Sequence, residues 1–159
     1  MAIDPHDWAR EVFERHDRRA EALENASIEA GNLALKALLI LNGGASIAVL
    51  GFLSSVYSSE LDFTEKANAM LPFVSALQKF AIGAGLAVFA SAIAYLANSF
   101  YARALMDYGR SFEWPYLSEG EESKSNWKWG VRFNNVVIVA ALGSIAMFVW
   151  GVVSVGLIY

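Results

Sequence analysis

The sequence predicts an all-α, polytopic membrane protein with three transmembrane helices, the first two continued by cytoplasmic helical extensions. Three observations carry that expectation. Hydrophobic residues make up 56% of the 159 and charged residues only 18%, against roughly 45–50% and about 25% in soluble domains. The apolar excess is gathered into three charge-free runs, residues 37–53, 80–101 and 136–158, each near the 17–25 or so residues a helix needs to cross a bilayer. Ten of the 12 Lys and Arg residues fall either before the first run or between the second and third.

Residues 1–32 read as a charged, thinly amphipathic cytoplasmic helix. Asp4-Pro5-His6-Asp7 is a start signal, with Asp4 as N-cap and Pro5 at the first helical position. Glu11 with Arg15 and Glu14 with Arg18 place the acid one turn before the base, the favourable order. Trp8, Val12, Phe13, Leu23, Ala26, Ala30 and Leu33 form a narrow apolar stripe that needs a partner. No turn signal separates this helix from the first span, residues 33–56, so one long helix is expected. Residues 57–71 read as a polar external connection, with Pro72 in the first turn of the next helix. Residues 72–109 read as the second span and its cytoplasmic extension, ending near Gly109. On that extension Tyr101, Leu105 and Tyr108 share a face, expected to pack against Leu23, Ile28 and Ala30. Residues 110–126 read as a cytoplasmic acidic-aromatic loop and 127–159 as the third span.

Lys and Arg set the orientation, without regard to acids. Arg10, Arg15, Arg18, Arg19 and Lys36 lie at the N-terminal end, and Arg103, Arg110, Lys124, Lys128 and Arg132 around the second connection. Lys66 and Lys79 alone lie at the first. The N-terminus is therefore expected in the cytoplasm and the C-terminus outside. The first thirty residues lack the apolar run of a secretory signal.

The candidate functional residues lie in the spans. Asn42 sits near the middle of the first, with Ser46 one turn on. A buried amide in lipid demands a hydrogen-bond partner, so Asn42 and Ser46 either line a polar pore in an oligomer or tie helices together. Gly43, Ile47 and Gly51, spaced by four, form a second face, with Ala81/Gly85 and Ala90/Ala94 similar on the second span and Ala140/Ser144 and Gly151 on the third. Small residues there allow close backbone approach, within one chain or between copies. Lys36, Lys79, Trp127, Trp129 and Tyr159 read as interface anchors.

Several functions are disfavoured. The chain has no cysteine and a net charge of −4, which removes thiolate chemistry and argues against nucleic acid. His6 and His16 do not share a helical face and do not read as a metal pair. The row Glu14, Asp17, Glu21, Glu24 reads as a solvated face. Asn25-Ala26-Ser27 matches a glycosylation acceptor but falls on the cytoplasmic helix. No phosphate loop or dinucleotide motif is present, so no cofactor is expected. Ser46, Ser91 and Ser144 have no base within reach, so no enzyme is expected.

At Leu38-Leu39-Ile40-Leu41-Asn42-Gly43-Gly44-Ala45 the chain resembles a segment of uncharacterised small bacterial inner-membrane proteins, over about one span. That resemblance implies a bacterial inner membrane and transfers no site. The expected function is a self-associating membrane protein, as a narrow pore or small effector gated from the cytoplasm. The alternative is a non-catalytic accessory subunit or anchor, recruiting a protein partner through the helix between Pro5 and Asn32.

Overall fold

The computed structural model describes residues 5–110 and 117–156, with the side chains of 5–13, 16, 19, 20, 23, 108–110 and 117–119 left aside. In chain order it contains α1 (Pro5–Tyr57), α2 (Phe63–Met106), β1 (Tyr108–Arg110), β2 (Leu117–Glu119) and α3 (Glu121–Gly156). All three helices are long and apolar enough to cross a membrane.

The chain divides into two compact units, residues 1–34 and 35–159. In the first, every described side chain from Glu14 to Ala34 is exposed. The ion pair of Arg18 with Glu14 forms at 3.3 Å, and Arg18 Nε also donates to the Glu14 carbonyl. Exposed pairs of this kind contribute about 0.3–0.5 kcal/mol. Ala26, Ala30 and Leu33 of the expected stripe are exposed, as is Ile28. Trp8, Val12, Phe13, Leu23 and the Glu11 carboxylate fall outside the described side chains, as do His6 and His16.

The second unit holds the three-helix core. α1 ends where Ser58 and Ser59 fold back on it: their backbone N–H groups donate to the Ser54 and Val56 carbonyls, and so do their hydroxyls. Lys66 Nζ donates to the Tyr57 carbonyl at 3.0 Å, placing a cation at the negative end of the helix. α2 then starts at Phe63, nine residues before the expected position. Asp62 is its N-cap, and the Asp62 N–H donates back to Glu65 Oε2, the reciprocal half of a capping box. Asp62-Phe63-Thr64-Glu65 is thus the start signal of this helix. Pro72 therefore lies inside α2, where it cannot donate to the carbonyl one turn before it.

Two further boundaries differ from expectation. α2 ends at Met106 with Asp107 as C-cap, and Gly109 instead pairs with Ser118 in an antiparallel β1–β2 ribbon. α3 begins at Glu121, six residues before Trp127, because its N-terminus is capped from α2. The Ser123 N–H donates to Asp107 Oδ2 at 2.8 Å, and Ser123 Oγ donates to the Ala104 carbonyl at 2.9 Å. A carboxylate there also meets the positive end of the helix. Within the expected loop, Phe112, Glu113, Trp114, Pro115 and Tyr116 lie outside the described residues.

The closest backbone approach is between α2 and α3. The buried positions of α2 include Ala76, Gly83, Ala90, Ala97 and Ala104, one every seven residues. Those of α3 include Ser123, Gly130, Ser144 and Gly151, on the same period. A seven-residue repeat keeps one seam facing a partner along a supercoiled pair, and small residues on it bring the backbones together. Two large knobs interrupt the seam. The Phe80 ring occupies the space a Cβ on Gly151 would need, and the Tyr101 ring does the same at Gly130. Both pairs are three heptads apart on their own helices, so the knobs lock one antiparallel register. Tyr101 thus finds its partner on α3, edge-on to Trp127 at 5.0 Å, while Leu105 is exposed.

α1 joins this pair through two apolar clusters. One gathers Val49, Leu53, Ala76 and Phe80, with Phe73 and Phe148 against it. The other gathers Leu35, Ala90 and Ala140. Each fully buried aliphatic or aromatic side chain is worth about 1.5–3 kcal/mol when taken from water. Between helices in lipid, where the surroundings are equally apolar, dispersion packing contributes more than that transfer.

Candidate functional site

Between the two apolar clusters lies the only fully buried polar group of side chains among the described residues. Asn42 on α1 and Ser144 on α3 both have no exposed surface. Asn42 Nδ2 donates to the Leu38 carbonyl at 3.0 Å and to Ser144 Oγ at 3.2 Å. Ser144 Oγ donates in turn to the Gly83 carbonyl on α2 at 2.8 Å. One amide and one hydroxyl therefore connect all three helices at one level.

Gly83 makes the junction possible. A Cβ there would fall on the Asn42 amide, against Oδ1. Asn42 Oδ1 itself has no hydrogen-bond donor and lies against the Gly83 backbone, where a Cα–H contact worth about 0.5–1 kcal/mol is the available compensation. An unsatisfied buried acceptor costs about 1–3 kcal/mol. The junction therefore fixes which helices meet, and at which residue, more than it stabilises them. Ser46 does not join it, since its hydroxyl donates to the Asn42 carbonyl of its own helix.

A second polar group lies on the α2–α3 pair toward the C-terminal end of α3. Lys79 Nζ donates to Ser75 Oγ at 2.8 Å and to Ser154 Oγ at 2.7 Å, and lies 5.2 Å from the Trp150 ring centroid. No carboxylate pairs with it among the described residues. The ammonium reaches along its own stem to hydroxyls and an indole face, as an anchor does.

Of the small-residue faces expected to pack helices, Ala90, Ala140, Ser144 and Gly151 are buried, whereas those of Gly43, Ile47 and Gly51 and of Ala81 and Gly85 are turned outward. Ile47 is 73% exposed, and an added Cβ on Gly43, Gly44, Gly51 or Gly85 would meet nothing within 4 Å. Gly51, Ala81 and Gly85 are exposed. The helix glycines that admit a neighbour inside the chain are Gly83, Gly130, Gly143 and Gly151. Four-residue spacing singles out the first set, whereas a seven-residue spacing marks most of the second. Of the expected anchors, Lys36, Trp127 and Trp129 are exposed, and Tyr159 lies outside the described residues.

The Asn42–Ser144–Gly83 junction holds no acid or base among the described residues. Ser144 has a carbonyl and an amide beside it and no base. No group of three or more His, Asp or Glu among the described residues is placed to hold a metal ion. The chain matches no known family, curated protein or solved structure.

Proposed function

We propose that this chain is a non-catalytic integral membrane protein that associates with copies of itself through the outward face of α1. Its three apolar helices cross a bacterial inner membrane, with the N-terminus and the β1–β2 ribbon in the cytoplasm and the C-terminus outside. The distribution of Lys and Arg supports that orientation.

The observation that carries self-association is the phase of the glycines. On α2 and α3, Gly83, Gly130, Gly143 and Gly151 stand where a neighbouring side chain needs the space, and Gly85 and Gly156 are open. On α1 Gly43, Gly44 and Gly51 stand around the exposed Ile47, and no neighbour occupies their space. A helix-interior glycine costs about 1 kcal/mol relative to alanine. Close approach of a second helix is the packing that would offset it. A pore lined by Asn42 is not supported, because that amide is bonded within the protomer.

The absence of cysteine gives a clean test. Ile47→Cys in native membranes should give an oxidised dimer, while Val139→Cys, on an exposed position of α3, should not. Equal cross-linking at the two positions, or none, would sink the proposal. The alternative role, as an accessory subunit that recruits a soluble partner, is favoured by the exposure of every described side chain on the mixed-charge stretch from Glu14 to Ala34. Removal of residues 1–19 should then release the partner and leave membrane insertion intact.

A further inference from the structure

At one end of the α2–α3 pair, rings from the two helices form a continuous cluster. Phe100 stacks on Phe133 at 5.4 Å and lies 6.5 Å from Trp129, which lies 6.0 Å from Phe133. Tyr101 and Trp127 form a further ring pair between the same two helices. Two guanidinium groups lie on its faces: Arg103 from α2, 5.7 Å from the Phe100 centroid, and Arg132 from α3, 5.0 Å from the Trp129 centroid. Both arginines are exposed, and neither has a carboxylate partner among the described residues. Lys128, one turn from Arg132, is equally free of one.

The place of these cations matters. Arg103 follows the charge-free run of α2 by two residues, and Arg132 precedes that of α3 by four. On the membrane reading proposed above, on which this inference rests, both lie at the level of the lipid headgroups. Stacking on a ring holds a guanidinium by its face and leaves its in-plane N–H donors free. Those donors match the paired oxygens of a phosphodiester. A basic patch between helices on the cytoplasmic side suits an anionic lipid head.

We infer that Arg103 and Arg132, held on the Phe100–Trp129–Phe133 cluster, form a binding site for the phosphodiester headgroup of an anionic phospholipid. Two guanidinium groups from two helices suit a lipid with two phosphates, of the cardiolipin type, better than one with a single phosphate. The exposed indole of Trp129 lies beside the glycerol region of such a lipid.

The test is lipid binding to the full-length chain, purified in mild detergent and titrated with cardiolipin, phosphatidylglycerol or phosphatidylcholine, read by native mass spectrometry. Wild type should bind cardiolipin most tightly and phosphatidylcholine least. Each of Arg103→Gln and Arg132→Gln should weaken cardiolipin about five-fold, and the double variant about thirty-fold, at roughly 1 kcal/mol per basic residue. Lys79→Met, at the other end of the bundle, should leave binding unchanged. Arg132→Lys should recover part of it, because the point charge remains and the fork is lost. Unchanged binding by the double variant, or equal binding of phosphatidylcholine, would overturn the site. Displacement by millimolar inorganic phosphate would show an ion site and overturn the lipid assignment. Extraction of the protein from membranes by alkaline carbonate would instead refute the membrane reading itself, and is measured first.

Discussion

The α2–α3 seam and the α1 helix use the same residue types for opposite purposes. Along the seam, Gly130 and Gly151 receive the rings of Tyr101 and Phe80, and serines of α3 donate to carbonyls of α2 at two levels, Ser144 to Gly83 and Ser123 to Ala104. On α1 Gly43, Gly44 and Gly51 seat no side chain of the other helices, and one asparagine with two apolar clusters holds the helix in place. A glycine in an apolar helix is therefore no evidence of internal packing by itself. Its phase against the neighbouring helix decides what it does.

The largest expected effect lies on the seam. Gly151→Val would drive two methyl groups into the Phe80 ring, which is buried at the centre of an apolar cluster. Overpacking of this kind costs about 1–3 kcal/mol, read as a lower midpoint of unfolding in detergent. The double variant Gly151→Val with Phe80→Ala should recover part of the loss, through direct coupling of the two sites. A neutral Gly151→Val would mean that the seam is looser than its distances.

Removing the cap between the helices should cost less. Asp107→Ala leaves the Ser123 N–H without its acceptor, at about 1 kcal/mol. Asp107→Asn keeps an acceptor oxygen and should recover most of it. Equal losses in the two variants would show that charge, and not the hydrogen bond, matters at the start of α3.

Asn42→Ala breaks the junction that holds α1. Interhelical hydrogen bonds in membranes average about 0.6 kcal/mol, and the variant also removes the orphan Oδ1. The net change in stability should be about 0.6 kcal/mol or less. The same variant should let Gly83→Ala be tolerated, since the amide blocking that Cβ is gone. A large loss from Asn42→Ala alone would make α1 depend on the amide far more than its geometry implies.

The smallest effect on the fold is expected on the outer face of α1. Gly51→Ala adds a methyl group to open space and should leave the protomer unchanged or marginally more stable. On the proposal of self-association, the same change should weaken cross-linking through Ile47→Cys. A folded, equally associated Gly51→Ala protein would confine the interface to Gly43 and Gly44.

Much of this architecture was legible in the sequence. Three charge-free runs of membrane-crossing length can be read from composition alone, because burial in lipid forbids charge and forces the backbone into helices. That Asn42 must find a partner follows from the same physics. The continuity of residues 5–57 in one helix was legible too, in the lack of any breaker.

The tertiary structure decided which side of each helix faces which. In water an apolar stripe announces the buried face. A helix apolar all round has no such stripe, and α2 shows almost none. Ala81 and Gly85 were therefore as plausible on the inside as Gly83 and Ala87, although two residues turn a helix by more than half a circle. Ser144 was equally invisible as the partner of Asn42, 102 residues away in the chain. Only the neighbouring side chains, Asn42 at Gly83, Tyr101 at Gly130 and Phe80 at Gly151, separate the glycines that seat a side chain from those left open.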